Sequence, residues 1–285
     1  MSANSLAPIL RFAPSPNGRL HLGHAYSALY TWNAAALLGG MVLLRIEDID
    51  AERSKPEFTA AIIEDLAWLG LTWPEPVLHQ SHHMDIYAAA GNRLRDQGLL
   101  YPCFCSRSDI AAQATATDPD GAPIYPGTCR HLDRGEQIER LERGDAVQFR
   151  LDTERAMDRT GMLTFTAVGP LVTDRPQIRY ARPQRWGDVV LQRKGTPTSY
   201  HLSVVVDDAA QGVTHVTRGR DMEAATDIHV LLQMLLGLPS PIYNFHRLIL
   251  DDEGRKLAKS RNSESLADLR AKGWTPEDVR RALGF

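Results

Sequence analysis

Two histidines near the start of the chain are separated by three positions, a spacing that places them on one face of a helix. They belong to the segment His21-Leu22-Gly23-His24, which follows an apolar stretch and a loop rich in proline and glycine. The first amides of a helix lack partners and the helix dipole is positive there, so anions bind at this end. Gly23 leaves room for a nucleotide against the backbone. The imidazoles could therefore hold ATP phosphates as negative charge builds up in a transition state. Two surface histidines near a helix start are the simpler alternative.

Two lysines near the other end of the chain could act on the same phosphates. The segment Lys256-Leu257-Ala258-Lys259-Ser260 follows an acidic turn at 251–254. A lysine that reaches the phosphates only as they rearrange stabilises the transition state more than the bound substrate. Taken alone, such a segment is more often a solvated charged turn. The two segments together, in this order, predict ATP-dependent activation of an amino acid as its adenylate.

A third group of residues has the composition of a metal site. Cys103 and Cys105 precede Cys129 by about 24 positions, and Tyr125 and His131 lie beside Cys129. Three thiolates with a fourth nitrogen or oxygen donor suit tetrahedral zinc. Imidazole is the better general zinc ligand, so Tyr125 and His131 compete for the fourth position. Free buried cysteines are the alternative. Because no open coordination position is indicated, the zinc would be structural.

Bulk composition limits the class of protein. The 285 residues are 43% hydrophobic and 24% charged, with a formal net charge of -3. A strongly basic chain would indicate nucleic-acid binding through its overall field, so any such contact must come from a local patch. We expect no membrane segment and no secretory signal. Three cysteines argue against a disulfide framework, and a cytoplasmic setting is expected.

The elements that must position these residues follow from hydrophobic periodicity. The pattern predicts a strand at 9–12, a helix from about His21 to Gly39, and a strand at 41–46. This strand–helix–strand unit is typical of a parallel α/β sheet. Further helices are predicted at about 56–69, 84–97 and 224–236, and short strands at 146–151, 163–168 and 188–192. The β-branched run at 200–206 predicts a strand buried on both faces.

Several segments together resemble one enzyme family. The chain resembles class I aminoacyl-tRNA synthetases of the glutamyl branch, and the matching blocks run collinearly over almost the whole sequence. Those blocks are Arg11-Phe12-Ala13-Pro14-Ser15-Pro16-Asn17-Gly18 with the histidine segment, Arg45-Ile46-Glu47-Asp48, Val205-Val206-Asp207-Asp208 and Thr217-Arg218-Gly219. The resemblance implies an α/β fold with a Rossmann-type parallel sheet core. An inserted α+β zinc-bearing subdomain splits this core, and a short helical C-terminal region follows.

The resemblance also implies roles for individual residues. The two carboxylates of glutamate would be bound by Arg11 and Arg218, and Tyr200 and Ser15 would add hydroxyls to the side-chain carboxylate. Glu47 would bind the α-ammonium group. Arginine forks suit carboxylates. The residues implied at ATP are Ala13, Pro14, His21, Gly23, His24, Lys256 and Lys259, and among them His21, His24 and Lys259 would be catalytic. Some full-length relatives carry asparagine where this chain has Val204, so the contacts to the amino group stay open.

The predicted domain boundaries follow the same resemblance. Residues 1–102 form the first half of the core, 103–192 the inserted zinc-bearing subdomain that contacts tRNA, 193–245 the second half, and 246–285 the lysine segment with the helical region. The short glutamyl relatives have a C-x-C…Y-x-x-x-C pattern, which favours Tyr125 over His131 as the fourth ligand beside Cys103, Cys105 and Cys129. Because Lys259 lies 26 residues before the end, no anticodon-binding domain is expected.

That short end makes the chain resemble the truncated branch that acts on queuosine. The implied activity is formation of glutamyl-adenylate from L-glutamate and ATP with Mg²⁺, without need of tRNA. Glutamate would then be transferred to the cyclopentenediol of queuosine in the anticodon arm of tRNA(Asp). A monomer is expected. The alternatives are a truncated glutamyl-tRNA synthetase charging the 3′ end of tRNA(Glu), a nucleotidyltransferase for a small molecule, and a catalytically silent RNA-binding module.

Overall fold

The computed structural model describes residues 7–250 and 264–285. In these ranges the strands are β1 (Ile9–Phe12), β2 (Met41–Ile46), β3 (Leu78–His79), β4 (Leu100–Cys103), β5 (Gln148–Leu151), β6 (Thr164–Val168), β7 (Gln177–Tyr180), β8 (Val190–Gln192), β9 (His215–Gly219) and β10 (Ile242–His246). The helices are α1 (Leu22–Leu38), α2 (Pro56–Trp68), α3 (Met84–Asp96), α4 (Arg107–Gln113), α5 (Arg134–Glu142), α6 (Thr153–Thr160), α7 (Tyr200–Ala210), α8 (Thr226–Leu236), α9 (Leu266–Ala271) and α10 (Pro276–Leu283).

The core contains two sheets that are mostly parallel. The first has the order β1-β2-β3, and β1 pairs with β2 in parallel from Ile9 opposite Met41. The second has the order β7-β6-β10-β9, in which β10 is parallel to both β6 and β9. The amide of Thr214, just before β9, donates to the carbonyl oxygen of Ile9 at 2.9 Å and joins the sheets. The predicted parallel α/β core is confirmed.

Helix α1 connects β1 to β2, and its ends follow from local sequence. His21 is the N-cap residue, and Gly39 ends the helix in the left-handed region at φ 65°. A left-handed residue is favourable for glycine because glycine has no Cβ to clash with the carbonyl. The start of α1 therefore lies directly after the loop that leaves β1, where the sequence predicts it.

One predicted strand is wrong. Residues 200–206 begin helix α7, in which Leu202, Val204 and Val205 are buried together with Ser203, Asp207 and Asp208. A continuous apolar run suits a helix buried on several sides as well as a buried strand, so periodicity alone does not separate the two. Helices α3 and α8 and strand β8 pack around α7, and this burial outweighs the strand preference of valine.

The region predicted as an insertion is divided between two sheets. Strands β4, β5 and β8 form a separate antiparallel sheet. In contrast, β6 pairs with β10 of the core, and β7 pairs with β6. Residues 164–180 therefore belong to the core sheet. The sequence pattern does not show this pairing, because the partner of β6 lies about 75 positions further along the chain. The division of the chain into domains at residues 103 and 192 stays a prediction.

The apolar side chains form two main clusters. One packs α1 and α2 against β1 and β2 and includes residues of α9 and α10. The other packs α3, α7 and α8 against β6, β9 and β10. Among the residues described, none of the helices combines the length and the apolar character required to cross a membrane. The two clusters hold the carboxyl ends of β1, β2, β9 and β10 at one edge of the core.

Candidate active site

A cavity of about 560 Å³ opens at the carboxyl ends of the core strands and the start of α1. Ligands collect at this edge in open parallel α/β sheets because loops of adjacent strands diverge there. The predicted site residues that line it are Arg11, Ala13, Pro14, Ser15, His21, Gly23, His24, Glu47, Tyr200 and Arg218. The structure thus brings together every predicted glutamate and ATP residue that it describes. Lys256 and Lys259 lie outside the described residues.

The two histidines form a reciprocal cap at the start of α1. Nδ1 of His21 accepts from the amide of Gly23 at 3.1 Å, and Nδ1 of His24 accepts from the amide of His21 at 3.2 Å. The ring centroids lie 3.8 Å apart. Because each Nδ1 accepts, each neutral ring carries its proton on Nε2. The capping contacts therefore select, for both histidines, the tautomer that carries its proton on Nε2. Both rings line the cavity, and each can donate from Nε2–H.

Arg11 is held by a buried ionic network. Its Nε donates to Asp208 at 3.1 Å, and one of its terminal nitrogens donates to the carbonyl oxygen of Thr217 at 3.3 Å. Asp208 also accepts from the fully buried Arg45 at 2.7 Å. Burial opposes the charge of Asp208, but Arg11 and Arg45 outweigh it and lower the pKa of this carboxyl group. The network fixes the direction of the Arg11 guanidinium toward the cavity.

Arg218 is held differently, without a carboxylate. It is 6% exposed, and one terminal nitrogen lies 3.2 Å from Nδ1 of His229. Its guanidinium carbon lies 5.1 Å from the centre of the Tyr243 ring. Within residues 7–250 and 264–285, Arg218 forms no ion pair within 4.0 Å, and its Nε has no hydrogen-bond partner. A buried charge without a counterion is costly, so this guanidinium is suited to bind an anion in the cavity.

The positions of His201 and His229 explain how Arg218 is oriented. Guanidinium groups only donate, so Nδ1 of His229 accepts and its Nε2–H points to Nδ1 of His201 at 3.3 Å. Burial lowers the pKa of His229 well below its usual value and that of His201 to about 4, and Arg218 adds to both effects. Both imidazoles are therefore neutral at physiological pH and support Arg218 without neutralising it.

Glu47 lies just after β2 and, like the two arginines, lines the cavity. Its amide donates to the carbonyl oxygen of Pro14 at 3.1 Å, which holds the residue beside the loop that follows β1. Burial raises the pKa of Glu47 to about 7, although Arg45 and Arg11 act in the other direction. A buried, poorly solvated carboxylate gains most when a substrate ammonium pairs with it. Tyr200, the first residue of α7, completes this side of the cavity.

The pKa of Glu47 predicts a pH dependence of glutamate binding. Between pH 8 and pH 6 Glu47 gains a proton, so the KM for glutamate in ATP–pyrophosphate exchange should rise roughly tenfold. In a Glu47→Gln variant the KM should be high at both pH values, and the slope should disappear. The free energy of unfolding gives an independent check on the same pKa. The raised pKa of Glu47 stabilises the folded protein below about pH 4.5, and this contribution is lost as pH rises toward 7. The Glu47→Gln variant should lack that decline in the free energy of unfolding.

The three cysteines lie together, Cys103 at the end of β4 and the other two between β4 and α5. Their sulfur atoms are within 4.8 Å of one another, and the exposed His131 is not a member of this group. The hydroxyl of Tyr125 lies 3.7 Å from Sγ of Cys105 and accepts from the amide of Cys129 at 2.6 Å. Burial would raise the pKa of Cys103, but hydrogen bonds from Tyr125 and Arg150 lower it to about 7. Three thiol groups with one nearby oxygen fit tetrahedral zinc, and this geometry favours Tyr125.

Zinc retention separates the two candidate fourth ligands. Tyr125→Phe should release zinc to a chromophoric chelator at least about tenfold faster than the wild type. Removing even a residue that only hydrogen-bonds to a metal ligand weakens metal binding about 10- to 100-fold. His131→Ala should release zinc at the wild-type rate. Tyr180→Phe, which removes an exposed tyrosine hydroxyl, is the matched control. Faster zinc release from His131→Ala, together with release at the wild-type rate from Tyr125→Phe, would assign the fourth ligand to His131 instead.

The residues that orient the arginines were missed from the sequence. Arg45 and Asp208 stand in blocks that match the glutamyl branch, but the sequence alone gives them no role. Their pairing is visible only when β2 and α7 are brought together, 163 positions apart. His229 has no sequence signal at all. The roles of the site residues themselves stay predictions.

Comparison with known proteins identifies the family to which this sequence is similar. Residues 9–284 match the model of the family described as tRNA synthetases class I (E and Q), catalytic domain. A glutamyl-Q tRNA(Asp) synthetase of Rhodobacter capsulatus is 50% identical over 97% of this chain and all of that relative. A glutamate–tRNA ligase of Prochlorococcus marinus is 39% identical over 97% of this chain and 57% of its own length.

A solved structure shows the same fold. The crystal structure of a glutamate tRNA ligase from Elizabethkingia meningosepticum, in complex with its amino acid, superposes with a TM-score of 0.76 and 25% identity. The superposition covers 98% of this chain and 61% of that chain. The overall fold described above is therefore shared with a protein whose structure was solved in complex with its amino acid.

Proposed function

The chain belongs to the class I tRNA synthetase family whose catalytic domains serve glutamate and glutamine, and from this premise we propose that it transfers glutamate to queuosine of tRNA(Asp). The reaction has two steps. Glutamate is first activated by ATP as glutamyl-adenylate, and the glutamyl group then passes to a hydroxyl of the cyclopentenediol. The protein is a ligase of the aminoacyl-tRNA synthetase type.

The observation that carries the choice of glutamate is the buried Arg218. This guanidinium faces the cavity without a carboxylate partner among the described residues, whereas Arg11, which lines the same cavity, is already paired with Asp208. A ligand carboxylate would supply the missing partner, and a fork of two N–H groups binds it bidentately. Glu47, which lines the same cavity, suits the ammonium group. One cavity thus offers a cation for a carboxylate and an anion for an ammonium.

Activation requires the α-carboxylate to attack the α-phosphorus of ATP. A carboxylate oxygen forms the new bond to phosphorus, the bond to the bridging oxygen breaks, and pyrophosphate leaves with the electron pair. Negative charge on the phosphates is met by the Nε2–H donors of His21 and His24 and by the positive end of the α1 dipole. Mg²⁺ would be held mainly by phosphate and water oxygens. Lys256 and Lys259 are proposed to contribute on the basis of their sequence.

The choice of acceptor rests on the relatives. The relative at 50% identity is named for tRNA(Asp) and glutamyl-Q, and the glutamate–tRNA ligase is more distant at 39%. The same cavity geometry serves either acceptor, because both donate a hydroxyl from a vicinal diol. The higher identity supports queuosine, and a monomer is proposed as the acting form.

Two measurements test the proposal. ATP–pyrophosphate exchange should depend on glutamate and should proceed without tRNA. Labelled glutamate should then pass to queuosine-containing tRNA(Asp) from which the 3′-terminal adenosine has been removed, and not to tRNA(Asp) that lacks queuosine. Charging of intact tRNA(Glu) with none of the trimmed, queuosine-containing tRNA would instead identify a glutamate–tRNA ligase. Absence of glutamate-dependent exchange would reject glutamate activation and leave a silent binding module or a nucleotidyltransferase that exchanges pyrophosphate with another acid.

A further inference from the structure

Arg218 donates its hydrogen bonds only to uncharged groups in the part of the chain that the structure describes. Its two terminal nitrogens lie 3.2 and 3.3 Å from Nδ1 of His229, and one of them donates to the carbonyl oxygen of Met222 at 3.4 Å. Arg11, which lines the same cavity, pairs instead with the carboxylate of Asp208 at 3.1 Å. The cavity thus has one arginine with a charged partner and one whose described partners are all neutral.

The charge of His229 follows from its contacts alone. A guanidinium group has no acceptor, so the Nδ1 atom that faces Arg218 carries no proton. The other ring nitrogen, Nε2, lies 3.3 Å from Nδ1 of His201 and donates its proton there. His229 is 1% exposed, so water does not compete for either nitrogen. The imidazole that orients Arg218 is therefore neutral, with its single proton on Nε2.

A neutral partner for Arg218 matters when the cavity must distinguish glutamate from glutamine. The two amino acids differ only at the end of the side chain, where an amide replaces a carboxylate of nearly the same size. Because a pocket rejects an isostere poorly by shape, the discrimination must come from charge and hydrogen bonding. A buried guanidinium without a counterion gains most from an anion. The amide nitrogen of glutamine would instead add a donor where an acceptor is needed.

The side-chain carboxylate of glutamate is the group that suits Arg218. The α-carboxylate attacks phosphorus, so a tight bidentate contact to it would stabilise the ground state and oppose the reaction. Tyr200, which is expected to contact the side-chain carboxylate, packs against His229 with ring centroids 5.5 Å apart. Tyr200, His229 and Arg218 therefore form one contiguous group, and two of its members line the cavity.

We propose that His229 makes this active site prefer glutamate to glutamine, because it orients Arg218 through an uncharged ring nitrogen. The inference rests on the proposed function, since it concerns the amino acid that the cavity activates. His229 does not line the cavity, so it is a positioning residue that acts through Arg218. His201 contributes by accepting from Nε2 of His229, which keeps Nδ1 free to accept from the guanidinium.

A carboxylate at position 229 would change this preference. It would pair with the terminal nitrogens of Arg218, much as Asp208 pairs with Arg11, and the substrate carboxylate would then meet a neutralised pair. Binding of glutamine would change little, because its side chain carries no charge. The charge of residue 229, more than its size, should therefore set the ratio of the two activities.

Two variants of equal shape separate the charge of residue 229 from its size. His229→Asn places a neutral oxygen near the position of Nδ1, and His229→Asp places a charged one there. The matched control for an added acid is His215→Asp, at a half-exposed histidine that begins β9 and does not line the cavity. For each protein, kcat/KM in ATP–pyrophosphate exchange is measured with L-glutamate and with L-glutamine. Thermal unfolding shows whether each protein is folded.

The measured quantity is the ratio of kcat/KM for glutamate to that for glutamine. In His229→Asp this ratio should be at least about a hundredfold lower than in His229→Asn, because the substrate loses a desolvated charge partner. In His229→Asn it should stay within about tenfold of the wild type, because a neutral acceptor still orients the guanidinium. His215→Asp should keep the wild-type ratio. If His229→Asp does not fold, the pair His229→Glu and His229→Gln provides the same comparison.

Three results would overturn the inference and leave the proposed function intact. Equal ratios in His229→Asp and His229→Asn would mean that charge at this position does not set the preference. An equal fall in His215→Asp would mean that any added acid has the same effect. A wild-type protein that activates glutamate and glutamine alike would have no preference for His229 to determine. A wild-type protein without glutamate-dependent exchange would instead reject the proposed function, and the role of His229 with it.

Discussion

Replacing Arg218 by glutamine is expected to lower kcat/KM for glutamate in pyrophosphate exchange by about two to three orders of magnitude. Loss of one partner of a desolvated charge pair costs about 2–5 kcal/mol, and each 1.4 kcal/mol is a factor of ten. The free energy of unfolding should equal or exceed that of the wild type, because Arg218 is buried without a counterion among the described residues. Exchange kinetics and thermal unfolding measure the two effects separately.

Two further variants make the Arg218 result specific. Arg218→Lys keeps the charge but lacks the planar fork, so it should recover only part of the lost activity. Arg179→Gln removes an arginine from a half-exposed pair with Glu223 and should change exchange little, since surface pairs contribute about 0–1 kcal/mol. An unchanged KM for glutamate in Arg218→Gln would show that the substrate carboxylate binds another group.

Replacing His24 by glutamate is expected to lower the rate of exchange by at least about a thousandfold while the protein stays folded. A glutamate at this position of the first turn accepts from the amide of the N-cap residue as His24 does. Its charge also interacts favourably with the helix dipole. The same charge repels ATP phosphates and removes the Nε2–H donor, and loss of one preorganised donor alone costs about 10²- to 10³-fold.

Comparison of neighbouring variants assigns the His24 effect to phosphate binding. His24→Gln keeps a capping oxygen and a neutral donor, so its loss should be smaller than that of His24→Glu. Ser108→Glu adds an acid to the first turn of α4, far from the cavity lining, and should leave exchange near the wild-type rate. Exchange by His24→Glu close to the wild-type rate would contradict a role for this histidine at the phosphates.

Local features of this protein follow from the sequence because they depend on neighbouring residues. The start of α1 at His21 and its end at Gly39 are both as predicted, since capping and left-handed backbone are decided within one turn. The strand–helix–strand unit from β1 to β2 follows from hydrophobic periodicity alone. Chemistry could be inferred from residue types at close spacing, as for His21 and His24 or Cys103 and Cys105.

Long-range packing decides what the sequence pattern leaves open. The run at 200–206 is a helix because elements from distant parts of the chain bury it on several sides. Residues 164–180 join the core sheet because the partner of β6 is β10. Neither outcome is visible in the local sequence. A short apolar run that is fully buried is compatible with a helix or a strand, and the sequence of a strand does not identify its partner strand.

The candidate site also combines features that follow from the sequence with features that depend on the tertiary structure. The sequence by itself indicated adenylate chemistry from the histidine and lysine segments, and the resemblance of its blocks indicated glutamate. Only the tertiary structure decided which arginine is neutralised and which is not: Arg11 meets Asp208 across 197 positions, while Arg218 meets neutral His229 instead of a carboxylate. The physical reason is that the energy of a buried charge depends on what surrounds it in space, and the order of residues along a chain does not contain that information directly.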